Sequence, residues 1–137
     1  MESQFCYRST VQDIPLIRKD LSKLASSWRI SDSDLKQIGI IIEELFSNIV
    51  RFAYSDSTEH IIEVKISLTE EKVSIHFIDD GAAFNPVEYF PTPNQDPAAY
   101  KTGGMGLVLV KTFSDSLDYY RADQKNHLEI SKTLRRK

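Results

Sequence analysis

The spacing of apolar residues changes period along the chain, and each change marks an element. Ile14, Ile17, Leu21, Leu24, Ala25 and Trp28 recur on one helical face, with Asp13 placed to cap that helix and Pro15 in its first turn. Ser31 and Ser33 offer start signals for a second helix. Leu35, Ile38, Ile42, Leu45, Phe46, Ile49 and Phe52 then keep a period of about 3.6 over about five turns. Further on the period falls to two. Ile62, Val64, Ile66 and Leu68 alternate with polar residues, Thr69-Glu70-Glu71-Lys72 reverses the chain, and Val73, Ile75, Phe77 and Asp79 alternate in turn. That pattern predicts a β-hairpin with one buried face.

The flanking segments complete the outline. Residues 4–9 read as a short edge strand. Residues 82–101 are rich in proline and lack periodicity, so they form a long loop of a length that often serves as a functional lid. A helix follows to about Phe113, then strands near residues 117–121 and 128–133. Two long helices, a hairpin, a crossover helix and two closing strands predict an α+β fold. It is a two-layer sandwich, with helices on one face of a mainly antiparallel, mixed sheet. No repeat or low-complexity stretch divides the 137 residues, which suggests a single domain over 1–137.

Composition narrows the function classes. A net charge of -3 argues against direct nucleic-acid binding, which needs a dense basic surface. The one basic cluster, Lys132-Thr133-Leu134-Arg135-Arg136-Lys137, reads as a frayed, solvated terminus or as an anion-binding arm. The single cysteine, Cys6, excludes an intramolecular disulfide and a cysteine-based zinc site, and its strand neighbours Phe5 and Tyr7 suggest a buried, inert thiol. No leader pattern and no apolar run near the ~18 residues of a membrane span is visible, so the expected location is cytoplasmic, with no membrane partner.

Three segments carry candidate chemistry. On the second helix Glu44 and Asn48 are four residues apart, one above the other on the same face. They are either the polar stripe of an amphipathic helix or a metal-and-water site, in which the amide oxygen ligates a hard cation and the carboxylate accepts a proton. Glu43, about 100° away, should face solvent. At the exit of a strand, Asp79-Asp80-Gly81 is either a turn former or a recognition element. In the second case the alternation turns Asp79 inward to accept from an exocyclic amine. Lys101-Thr102-Gly103-Gly104-Met105-Gly106-Leu107 precedes the apolar run Leu107-Val108-Leu109-Val110. It is either a tight turn or an anion cradle made of glycine backbone and a helix start.

In that order and spacing, Glu44-x-x-x-Asn48, Asp79-x-Gly81-x-x-Phe84 and Gly104-x-Gly106-Leu107 resemble the three boxes of the GHKL ATPase superfamily, with its Bergerat ATP-binding fold. The likeness is greatest to the small anti-sigma factor serine/threonine kinases. Tyr54, Phe84-x-Pro86, Asp118-x-Tyr120 and the closing Asn126-x-Leu128-x-Ile130-x-Lys132 fit that branch, and the resemblance spans nearly the whole chain.

What the resemblance implies is specific. Glu44 is the catalytic base, Asn48 the Mg²⁺ ligand and Asp79 the adenine contact, while Gly81 brings the chain close to the nucleotide. Gly103, Gly104 and Gly106 form the hinge and phosphate cradle of an ATP lid over residues 82–102, and Phe84, Thr102, Met105 and Leu107 count among the nucleotide-binding residues. Phe52 departs from the branch, which commonly has histidine there; an aromatic ring can stack but cannot bind an anion. The implied reaction moves the γ-phosphoryl group of ATP to a serine or threonine of an anti-anti-sigma protein of the STAS fold. A homodimer of the kinase holds an RNA polymerase sigma factor inactive, and nucleotide state switches the partners. The alternative is a nucleotide-binding regulatory module that transfers nothing. His60, His76 and His127 lie in no phosphoacceptor helix, which argues against a complete histidine kinase.

Overall fold

The computed structural model describes residues 1–56, 58–69, 71–89 and 104–135, with backbone alone at 89, 104 and 105. Five strands, β1 (Glu2–Arg8), β2 (Ile61–Leu68), β3 (Lys72–Asp79), β4 (Ser116–Ala122) and β5 (Lys125–Thr133), form one sheet in the order β1-β2-β3-β5-β4. Every pairing is antiparallel. Three helices, α1 (Ile14–Trp28), α2 (Asp32–Phe52) and α3 (Gly104–Phe113), complete the two layers.

The sequence period explains the layering. Tyr7, Ile62, Val64, Ile66, Val73, Ile75, Phe77, Leu128 and Ile130 point to one face and share a core with Ile17 and Leu21 of α1, Ile38, Ile42, Leu45, Phe46 and Ile49 of α2, and Leu107 and Val110 of α3. Helix α2 sits deepest, with Ile41, Ile42, Leu45 and Phe46 fully buried. Its start is set by Ser31, whose hydroxyl accepts from the Asp34 N–H at 3.1 Å. Phe52, counted with the apolar stripe, lies past the core and is 41% exposed.

Several expectations are corrected. Asp13 stands at the N-cap position of α1, but its buried carboxylate takes the backbone N–H and guanidinium of Arg8 instead of a helix N–H. Cys6 is exposed, because the alternation that turns Phe5 and Tyr7 toward the core turns the residue between them out. The basic tail is neither frayed nor an arm up to Arg135. Lys132 is buried and donates to Gln37 Oε1, Leu134 joins the core, and the Arg135 N–H bonds Asp34 at 2.9 Å. Residues 136–137 lie outside the described part.

Candidate functional site

The candidate residues meet along one face of α2. Glu44, Asn48 and Phe52 follow at four-residue intervals, so about 1.5 Å of rise per residue spaces them over roughly 12 Å. Each touches or faces a different part of the site.

At the Glu44 end lies the first turn of α3. A Cβ on Gly106 would fall 1.8 Å from Glu44 Oε2 and 2.3 Å from its Cδ, so the carboxylate lies directly against the Gly106 backbone. Glycine is required there because the space is filled by the acid. Gly106→Ala is therefore expected to displace the Glu44 carboxylate. The obstructed atoms are the end of a flexible side chain, so the melting temperature should barely move. If Glu44 is the base that the resemblance implies, phosphoryl transfer should instead slow about 10²-fold, the cost typical of misplacing a reacting group by about 1 Å. Single-turnover phosphoryl transfer beside a thermal melt checks both.

Asn48, one turn on, is 2% exposed, and its Nδ2 has no hydrogen-bond partner among the described residues. A buried carboxamide with an idle end costs free energy unless a ligand completes it. Rotation of the amide about its bond presents either NH₂ or oxygen at that end. The donor set thus fits either a phosphate oxygen or a hard cation. No cluster of three or more His, Cys, Asp or Glu residues suited to a metal occurs among the described residues. A divalent ion here would draw its other ligands from phosphate and water, as Mg²⁺ commonly does.

At the far end, α2 abuts the turn after β3. A Cβ on Gly81 would lie 2.6 Å from the Ala53 carbonyl oxygen, and the Ala82 N–H bonds that oxygen at 2.7 Å. The close approach that demands glycine at 81 is therefore to the end of α2. Phe52 stacks on Phe84 with centroids 5.2 Å apart.

Asp79 ends β3 pointing inward, 3% exposed, as the alternation predicts. The acid forms the turn and is turned inward as well. Its Oδ1 accepts from the Gly81 N–H at 2.9 Å, which is a turn-forming bond, and from Asn126 Nδ2 at 2.9 Å. Its Oδ2 accepts nothing from any described residue, so an acceptor is left over for a ligand. Burial pushes this carboxyl up from the usual carboxylate range, and the bonds from Asn126 and Gly81 oppose the shift. Asp80 faces the other way, accepting from Tyr54 Oη at 2.8 Å and lying 3.4 Å from His60 Nδ1. His60 also reaches Asp56 at 3.0 Å, and that contact raises its pKa above the ordinary histidine value.

Other candidates fall differently. Leu107 is buried in the core, so only its backbone is available to a ligand. Gly104 and Met105 open α3, while Thr102 and Gly103, with most of the expected lid, lie outside the described residues. Glu43 lies at the surface but is half-buried there: its side chain is 24% exposed and accepts from the exposed Arg18 of α1 at 2.7 Å. Asn126 has no role in the sequence reading beyond its place in the closing motif. It is polar yet in phase with inward Leu128 and Ile130, and that phase is the available signal.

An antiparallel sheet covered by helices on one face, with an acid–glycine turn and a glycine-started helix meeting on one central helix, defines an ATPase class. The chain belongs to the family described as Histidine kinase-like ATPase domain, matched over residues 7–132, and membership implies use of ATP. Among curated proteins it is 34% identical over 92 residues to the serine/threonine-protein kinase BtrW of Bordetella bronchiseptica, covering 65% of this chain and 63% of that one. It is 26% identical over 113 residues to the serine-protein kinase RsbW of Bacillus velezensis, covering 76% and 68%. The RsbW of Bacillus licheniformis is 27% identical over 129 residues, covering 90% and 80%. A crystal structure of RsbU and RsbW domains from Mycobacterium tuberculosis matches all of this chain and 33% of its own, with a TM-score of 0.71 and 16% identity. That likeness speaks to the fold. The chain spans 63% of the length of the Bordetella kinase and a third of the solved chain. No helix among the described residues is long and apolar enough to cross a membrane.

Proposed function

We propose that this chain is a single-domain, ATP-dependent protein serine/threonine kinase of the cytoplasm. It acts as an anti-sigma regulatory factor on a STAS-type anti-anti-sigma protein. The supporting observation is the alignment of groups along α2. Asp79, buried and with Oδ2 bonded to no described residue, sits at the Phe52 end; Asn48, with an idle buried Nδ2, sits between; Glu44, against the first turn of α3, sits at the other end. Adenine at Asp79 directs the phosphates toward Asn48 and Glu44. The separation of roughly 12 Å suits a nucleotide laid along the helix.

Each residue has a role in the transfer. Asp79 Oδ2 accepts from the exocyclic amine of adenine. Asn48 would hold Mg²⁺ through its carboxamide oxygen. When bound, the ion supplies positive charge to the phosphate oxygens, where phosphoryl transfer needs it. Backbone N–H groups at the start of α3 face the same negative charge. Glu44 takes the proton from the incoming serine or threonine hydroxyl as that oxygen bonds the γ-phosphorus. The bond from phosphorus to the bridging oxygen breaks, and ADP leaves with the electron pair.

Regulation follows from differential affinity. A homodimer of this chain would hold an RNA polymerase sigma factor in one nucleotide state. It would exchange that factor for the STAS protein in the other, provided the two states bind the partners unequally. The function is tested by incubating the protein with γ-labelled ATP, Mg²⁺ and a STAS-fold protein encoded beside it. Label is expected on a serine or threonine of that protein. ATP binding without any transfer would replace the kinase with a nucleotide-gated binding module.

A further inference from the structure

We propose that Asn126 is the positioning residue of the adenine site: its carboxamide sets the rotation of the Asp79 carboxylate and ties it to Ala82 and Phe84, where the chain leaves the site. This inference rests on the adenine-nucleotide reading of Asp79 and adds a residue that the reading does not contain.

The position of Asn126 follows from strand register. Asp79 and Asn126 are directly opposed across the β3–β5 pair, and Arg121 is opposed to Asn126 across β4–β5. The β4–β5 connection is a two-residue turn with Asp123 at φ 54° and Gln124 at φ 62°. That left-handed pair matches the twist of a tight hairpin and fixes the register. Three strands therefore deliver their side chains to one point.

At that point the amide is fully used. Nδ2 donates to Asp79 Oδ1 at 2.9 Å and to the Ala82 carbonyl at 2.8 Å. Oδ1 accepts from Tyr119 Oη at 2.5 Å, Arg121 Nη1 at 3.0 Å and the Phe84 N–H at 3.3 Å. Three donors converging on the oxygen settle which end of the amide faces Asp79. An amide turned the other way would set two oxygens against each other and strand three donors. Arg121 also donates to the Gly81 carbonyl at 3.0 Å, so the turn is held from both sides.

The consequence is electrostatic as well as geometric. Oδ1 of Asp79 accepts from both Gly81 and Asn126, so a proton taken up by this acid sits on Oδ2. Protonation thus converts the one acceptor left for an adenine amine into a donor facing a donor. Burial drives the acid toward protonation, and Asp80 adds to that push. Asn126, the Gly81 N–H and the Arg121 charge oppose it. Two more titratable groups adjoin the turn through Asp80: Tyr54, which stays neutral because burial and its bond to Asp80 raise it further, and His60, 3.4 Å from Asp80, which is raised above the ordinary histidine value chiefly by its bond to Asp56. Removing the Asn126 amide takes away the largest of the opposing contributions, so the pH at which Asp79 ionises rises and adenine binding weakens on the acid side.

The test is calorimetric titration with ADP between about pH 5.5 and 8.5, for the wild type, Asn126→Leu and Tyr119→Phe. The wild type should bind with little pH dependence. Asn126→Leu should bind about tenfold more weakly at the acid end, with the gap narrowing as pH rises. Tyr119→Phe removes one donor from the amide oxygen at a partly buried site and should show the same trend at about threefold. It carries the test if Asn126→Leu does not fold. A loss in both variants that is the same at every pH would mean a merely structural role and overturn the proposal, as would unchanged binding in both. A wild type that binds no ADP would overturn the nucleotide reading itself, an outcome distinct from either.

Discussion

Replacing Glu44 by glutamine is expected to slow phosphoryl transfer to a STAS-protein hydroxyl by about 10²–10⁴-fold, the range typical of a lost general base. ADP affinity should stay within about twofold, because the side chain keeps its shape and the adenine contact, Asp79, is on β3 at the other end of the site. The split between chemistry and binding is the informative part. Glu44 lies against the Gly106 backbone, where a water-sized shift would take it out of line with an incoming hydroxyl. Single-turnover transfer from labelled ATP, read beside ADP titrations, separates the two quantities. Unaltered transfer in Glu44→Gln would remove this residue from the base role. A loss of binding equal to the loss of rate would make it a structural support of the phosphate end.

The second large effect is at Asp79. Asp79→Ala removes a charged acceptor worth about 1.5–3 kcal/mol in a buried site, so the ADP dissociation constant should rise by about 10²-fold. A thermal-shift experiment converts this directly. With ADP at about 100 times the wild-type constant, binding stabilises the wild type by about 2.7 kcal/mol and the variant by only about 0.4 kcal/mol. The unliganded variant should also melt lower, because the Gly81 N–H and the Asn126 amide lose their shared acceptor. The nucleotide-induced shift is the quantity to compare, since it cancels that loss. An undiminished shift in Asp79→Ala would place the adenine elsewhere.

Much of this site is legible in the amino-acid sequence, for reasons that differ by residue. Asp79 can be placed inward because a strand has a strict period of two and Val73, Ile75 and Phe77 fix its phase. Glu44 and Asn48 can be paired because helical spacing alone puts residues four apart on one face. The same rule does not say that Gly106 lies beneath Glu44, since helix-to-helix packing is set by the whole core. Asn126 is visible as a polar residue in an apolar phase, but its partners depend on the register of two strand pairs and on a left-handed turn at 123–124. Local pattern does not encode those.

The corrections have one physical source. The angle from Glu44 sends Glu43 to the surface, where it meets Arg18 from a different helix. Lys132 belongs by composition to a charged tail, yet it is buried beside Asp34 and Gln37. The hydrophobicity of its neighbours suggests that Cys6 is buried, whereas strand alternation turns it out. In each case a tertiary partner, or the strand phase that selects one, overrides composition. The fold's layers do not suffer the same way, because they rest on long periodic runs, above all α2.

The central claim is that Asp79, Asn48, Glu44 and the glycine-started helix α3 form one adenine-nucleotide site along α2. Calorimetric titration of the wild-type chain with ADP and with GDP, each in the presence of Mg²⁺, tests it most directly. Saturable binding of ADP at one site per chain, with GDP at least about tenfold weaker, is the predicted result. Absence of ADP binding, or equal affinity for the two bases, would contradict it.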